Sequence, residues 1–247
     1  MCAPLTNQEV GFYCHAQARG VWAVAKQERA ERTRANLVRA AAAVFDQVGY
    51  ERATLAVISD LAQVTKGALS FHFAAKSDLA RAVQAEACAV SDAALAVCAE
   101  RQGASFQAVV DMTYTLVGLL EGDVVTRAGV RLTRELETPE DSSLHCHVNW
   151  LGNLFRALRR AEADGAAEAG VDARSAVALV MAVVVGAETM ARTPVGAAFG
   201  EGPSAPRETA QEWLARMWHA VRPALEPSGD LRVGDVRAMG VRELHPG

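Results

Sequence analysis

The sequence has 247 residues, 51% hydrophobic, 22% charged and 6% aromatic, with a net charge of −4, which is enough chain to bury a large core and excludes a disulfide miniprotein or a largely disordered polymer. Forty-nine alanines against so few aromatic residues favour helix over sheet, because alanine loses no side-chain entropy in a helix whereas strands enrich β-branched and aromatic residues, so the expected fold class is all-α. Charge is uneven: residues 26–76 hold eight Lys/Arg against five acids, and residues 77–247 hold sixteen Arg, no lysine and twenty-three acids, so a small basic end is available to a polyanion.

In chain order, residues 1–25 carry few charges and no helical period, and read as a disordered extension, or as sequence upstream of a start near Val24. From Glu28 to Val48 the apolar positions Leu37, Ala41, Val44, Phe45 and Val48 recur at helical spacing, and Gly49 supplies the stop. Thr54 is placed to cap a short helix carrying Leu55, Ile58, Leu61 and Ala62, and Thr65 to cap a second one, residues 66–72. Two short helices joined by a tight turn behind a longer support form a helix-turn-helix pattern, so residues 26–76 are assigned to one unit. Ser77 and Asp78 open a long helix to about Glu100. Amphipathic helices with Gly or Pro punctuation then fill residues 77–222, and residues 223–247 read as a flexible tail.

Other chemistries find little support. No apolar run approaches the ~20 residues of a bilayer span, and Ala176 to Ala187 has the length of a buried helix, so no membrane partner is expected. No basic segment followed by an apolar one opens the chain, and the five cysteines are odd in number and scattered; both suit a cytoplasmic protein with reduced thiols. Nucleophile elbows, phosphate loops, dinucleotide fingerprints and zinc-protease motifs are missing, so neither an enzyme nor a cofactor is expected. His145, Cys146 and His147 concentrate metal-ligand types, but neighbours on a helix point in different directions and no second pair has zinc-site spacing, so no metal is assigned. Arg127, Arg131 and Arg134 have helical spacing suited to ion pairs or a partner, while Glu135, Glu137, Glu140 and Asp141 read as a solvated cluster.

The run from Thr65 through Lys66, Gly67, Ala68, Leu69, Ser70, Phe71, His72 and Phe73 to Lys76 and Leu79, preceded by the Ala40–Phe45 segment and by Gly49-Tyr50, resembles the DNA-binding domain of the tetracycline-repressor (TetR) family over residues 28–80. Within that family it is similar to the γ-butyrolactone autoregulator receptors, whose ligand-domain pattern is matched by Val125–Leu132 and Trp150. The resemblance implies a homodimeric repressor that binds a palindromic operator in double-stranded DNA and is released by a small hydrophobic effector, γ-butyrolactone-like or an antibiotic. It implies a DNA-facing set of Thr54, Thr65, Lys66, Gly67, Ala68, Ser70, His72 and Lys76. Lys66, His72 and Lys76 would lie near phosphates, and Lys66, Gly67 and Ala68 would face base edges. His72 could alternatively be a partly buried structural histidine. The family usually has tyrosine, a phosphate contact, where this chain has Ser70.

Trp150 reads either as core or as the effector residue that the receptor resemblance implies, with Val110, Thr113 and Val184 as further candidate pocket walls. Dimerisation is expected through Ser175–Met190 and Trp213–Val221, with Val180 and Val184 in the interface. Two alternatives stay open: a pseudo-receptor answering to an antibiotic or pathway intermediate, and a helical ligand-binding module without DNA binding.

Overall fold

The computed structural model describes residues 7–103, 105–136, 144–165, 172–193 and 207–222, with side chains from Lys26 onward. The tail expected at 223–247, and Glu137, Glu140 and Asp141, lie outside the described residues. Among the described residues the secondary structure is helical: α1 (Asn7–Arg52), α2 (Leu55–Leu61), α3 (Lys66–His72), α4 (Lys76–Gln102), α5 (Phe106–Gly122), α6 (Val124–Glu135), α7 (Cys146–Ala163), α8 (Ala173–Arg192) and α9 (Ala210–Val221).

The all-α expectation holds, and the start of α1 differs from the sequence reading. Helical backbone begins at Asn7, where a disordered extension was expected for residues 1–25. No proline interrupts residues 7–52, so a helix nucleated by the buried stretch Leu37–Phe45 propagates toward the N-terminus at little further cost. At the other end Gly49 leaves helical geometry with φ +80°, a conformation that costs glycine nothing and lets the chain bend toward α2.

In the head, Thr54 Oγ1 accepts the Val57 amide and Thr65 Oγ1 accepts the Ala68 amide, so both hydroxyls cap the helices for which the sequence placed them. Gln63 takes φ +56° in the turn between α2 and α3. The Val64 amide closes that turn on the Ser59 carbonyl at 3.0 Å. Asn36 on α1 donates to the Ala62 carbonyl at 2.7 Å, which ties the supporting helix to the end of α2.

Leu37, Phe45, Ile58, Leu69 and Phe73 of the head share one apolar cluster with Leu79, Ala80 and Val83 of α4. That cluster continues into the body, so the start of α4 carries the core of the head on into the core of the body. In the body, α4 packs so closely on α6 that a Cβ on Gly129 would lie 2.3 Å from the Ala87 Cβ. Helices α4 and α8 have the length and hydropathy of a bilayer span. Their apolar side chains Val83, Ala87 and Leu95, and Val177, Val180 and Val184, are nevertheless buried between helices, where a soluble fold also places such sequence.

Candidate nucleic-acid interface and effector seam

Helix α3 presents Thr65, Lys66, Gly67, Ser70 and Phe71 to solvent, whereas Leu69 and Phe73 anchor it inward. A Cβ on Gly67 would meet only the Thr65 hydroxyl at 3.9 Å, so this first turn is open to a close-lying surface. Ala68 and His72 are half-buried, and Thr54 is exposed at the start of α2. Phe71 is 81% exposed and touches the His72 ring edge-on at 5.2 Å. The sequence reading did not single out Phe71. Its signal was a large aromatic residue out of register with the Leu69 and Phe73 core positions.

Lys76 takes another direction. Its ammonium donates to the carbonyls of Tyr50 (2.8 Å), Ala53 (3.2 Å) and Glu51 (3.3 Å) and lies 4.3 Å from the centre of the Tyr50 ring. Tyr50 and Glu51 lie in the last turn of α1 and Ala53 just past its end, so the ammonium caps the C-terminal end of α1. Its three N–H groups are all used inside the protein.

The head is joined to the body through α6. Arg127 Nε pairs with Asp46 at 2.9 Å, and Arg131 donates to the Asp46 carbonyl at 2.7 Å and pairs with Glu135 at 2.7 Å. Glu135 in turn accepts the Tyr50 amide at 2.6 Å. Burial alone would raise the Glu135 pKa, but the bonds from Tyr50 and Arg131 and the charges of Arg131 and Arg52 hold it below the usual glutamate value. Arg134 completes the set at 3.5 Å from Glu188. The arginines thus make the ion pairs expected of them, and Glu135, exposed as expected, also clasps α6 to the end of α1.

Trp150 is fully buried on α7, with His147 edge-on at 5.4 Å. Its Nε1 has no hydrogen-bond partner among the described residues, and neither has Oε1 of Gln84, which is 1% exposed on α4. Cys88, four residues after Gln84 on α4, touches Cys146, four residues before Trp150 on α7, with 3.3 Å between sulfurs, and Asn153 donates to Asp92 at 2.8 Å further along the α4/α7 seam. An orphaned amide acceptor on α4 and an orphaned indole donor on α7 are unusual in a folded core, where such groups are normally satisfied. Gln84 was missed in the sequence because glutamine in an amphipathic helix reads as a solvent-facing residue.

The other candidate pocket residues fare differently. Thr113 accepts the Trp218 Nε1–H at 2.7 Å and donates to the Val110 carbonyl at 2.6 Å, with the Phe106 ring edge-on to Trp218. Its hydroxyl stitches α5 to α9, a packing role the sequence could not reveal. Val110 and Val184 are buried apolar residues of the same body. Val180 and Val184 also point into the subunit, so the interface expected at those two residues is corrected: the outward face of α8 carries Ala178, Leu179 and Ala182 instead. Two cavities, of about 220 and 430 Å³, lie beside Arg127, Glu188 and Arg192, and neither is lined by Trp150.

A helix-turn-helix head with an open first turn, clasped to a helical body that holds unsatisfied buried polar groups, has the layout of a DNA-binding regulator controlled by a small molecule. Residues 37–83 match the family of bacterial regulatory proteins, tetR family. The A-factor receptor protein of Streptomyces griseus is 30% identical over 206 residues, 83% of this chain and 68% of the relative. A crystal structure of a γ-butyrolactone receptor (ArpA-like protein) superposes with TM-score 0.57 at 34% identity, covering 78% of this chain and 98% of that one. CprB from Streptomyces coelicolor in complex with its operator sequence superposes with TM-score 0.60 at 34% identity, covering 81% and 90%. The chain belongs to the TetR family of transcriptional regulators and is of the γ-butyrolactone-receptor type. It is a DNA-binding regulator and not an enzyme.

Proposed function

We propose that the chain is a homodimeric repressor that reads a palindromic operator with α3 and leaves it when a lipophilic γ-butyrolactone-type signal enters the α4/α7 seam, so that genes of antibiotic production are controlled. The observation that carries the effector reading is the pair of orphaned buried groups, Trp150 Nε1 and Gln84 Oε1. A hydroxylated lactone brings what they lack: a carbonyl acceptor for the indole, a hydroxyl donor for the amide, and an acyl chain for the apolar surroundings. Because α4 begins inside the head, an effector that binds better to a parted α4/α7 seam shifts the position of α3 relative to the DNA groove. On the DNA side, Lys66 supplies charge at the start of α3, Gly67 and Ala68 allow close approach, Ser70 keeps one hydroxyl donor, and exposed Phe71 offers apolar surface beside it.

The test is a mobility shift with the DNA upstream of the chain's own reading frame, followed by titration of γ-butyrolactones. Wild type binds and is released. Trp150→Phe keeps the packing ring and loses the Nε1 donor, so release needs about 2–10-fold more effector while operator affinity holds, in line with ~0.5–1.5 kcal/mol per hydrogen bond. Release by an antibiotic and by no butyrolactone gives the pseudo-receptor, and failure to shift any upstream fragment gives a ligand-binding module.

A further inference from the structure

We propose that Cys88 and Cys146 form an oxidation site, closed to a disulfide by a small peroxide, that pins α4 to α7. The two thiols come from helices 58 residues apart in sequence and meet with 3.3 Å between sulfurs, both free and both buried. A disulfide spans about 2.05 Å between sulfurs, so a modest approach of the two helices closes it. Cys98 faces the Thr115 hydroxyl at 3.1 Å instead of a thiol. The pair is also chemically asymmetric. The Cys146 thiol and Asn149 hydrogen-bond the Cys88 sulfur and draw its pKa below the usual thiol value against the opposing effects of burial and Asp92, whereas Cys146 is pushed up by Cys88 and by burial. Cys88, which retains some exposure where Cys146 has none, is the attacking thiol, and Cys146 resolves it.

The electron balance is that of two thiols and one peroxide. The Cys88 thiolate attacks hydrogen peroxide, the O–O bond breaks, and Cys88 sulfenic acid forms as the departing hydroxide takes a proton to become water. Cys146 then attacks the Cys88 sulfur and loses its proton, and the second hydroxide leaves as water. Two thiols are oxidised, one peroxide is reduced, and two waters result. Peroxide is small enough for this position, where Cys88 retains 5% exposure.

The site lies one helical turn from Gln84 along α4 and one turn from Trp150 along α7, so a bond there closes the seam that an effector has to part. That consequence rests on the effector reading above; the bond itself does not. In the experiment, the full chain is purified with reductant, desalted, exposed to hydrogen peroxide, alkylated and digested for mass spectrometry. A cross-linked peptide joining Cys88 to Cys146, lighter by two hydrogens than the two free peptides and lost on reduction with dithiothreitol, is expected in wild type and not in Cys88→Ala or Cys146→Ala. In parallel, the butyrolactone concentration that half-releases operator DNA is expected to rise about tenfold on oxidation of wild type, to recover on reduction, and to stay unchanged by peroxide in both variants. Complete alkylation of both thiols after peroxide, or cross-linking of either to Cys2, Cys14 or Cys98, overturns the site. A Cys88–Cys146 cross-link with unaltered release overturns the pinning. If no butyrolactone releases even the reduced protein, the effector reading fails, and the mass measurement still decides the disulfide.

Discussion

Replacing Lys76 with methionine separates a structural lysine from a DNA-contacting one. Methionine keeps the apolar stem and removes the ammonium, so the carbonyls of Tyr50, Glu51 and Ala53 lose a charged donor and the Tyr50 ring loses its cation. Hydrogen bonds to a charged group are worth about 1.5–3 kcal/mol, and a cation at a helix C-terminus or over an aromatic ring adds about 0.5–1 kcal/mol each. All act through one half-buried nitrogen and do not add fully, so a loss of about 2–4 kcal/mol is expected. With a urea slope of about 2 kcal/mol per molar, the unfolding midpoint falls by about 1–2 M. Circular dichroism during urea titration measures it. Lys66→Ala is the paired control: Lys66 is exposed, so the midpoint holds while operator affinity drops and the salt dependence becomes shallower by about one counterion per head. A Lys76→Met protein with the wild-type midpoint, weaker operator binding and a shallower salt dependence would refute the capping argument and return Lys76 to the DNA surface.

Gly67→Ala is expected to fold at least as stably as wild type, since the new methyl meets only the Thr65 hydroxyl at ordinary contact distance and alanine favours helix by up to about 1 kcal/mol, yet to bind the operator more weakly because the first turn of α3 loses its close approach; thermal melting and mobility shift read the two effects. His147 is held at about 4, against an ordinary 6.5, first by burial and then by the charges of Arg134 and His145. A lowered histidine pKa means that the unfolded chain takes up the proton first, so stability is full above 6.5 and is lost as the pH falls toward 4. Between pH 7 and 5 wild type should lose about 2 kcal/mol through this group, and His147→Phe, which keeps an aromatic ring against Trp150, should lose that much less over the same interval in urea titrations. Leu179→Asp, on the outward face of α8 where Leu179 is 40% exposed, should convert the proposed dimer to monomer in sedimentation without lowering the subunit's helix content. An intact dimer would move the interface off this face.

Much of the head was legible in the sequence because its determinants are local. Thr54 and Thr65 cap helices within their own turn, Leu69 and Phe73 mark the buried side of α3, and the residue pattern from Thr65 to Leu79 carries the family. The helical spacing of Arg127, Arg131 and Arg134 likewise showed that they act on one face. What that face meets was not legible. Asp46 and Tyr50 lie some 80 residues away in the chain, and whether Arg127, Arg131 and Glu135 reach them depends on how α6 is rotated against α1. The same holds for Lys76 turning back onto α1, Thr113 meeting Trp218, Val184 pointing inward and Gln84 ending buried. Periodicity states which side chains share a face of one helix. Only the packed helices decide which carbonyl, thiol or ring stands opposite, because that choice depends on the axial rotation and offset of two helices, quantities that neither helix encodes alone.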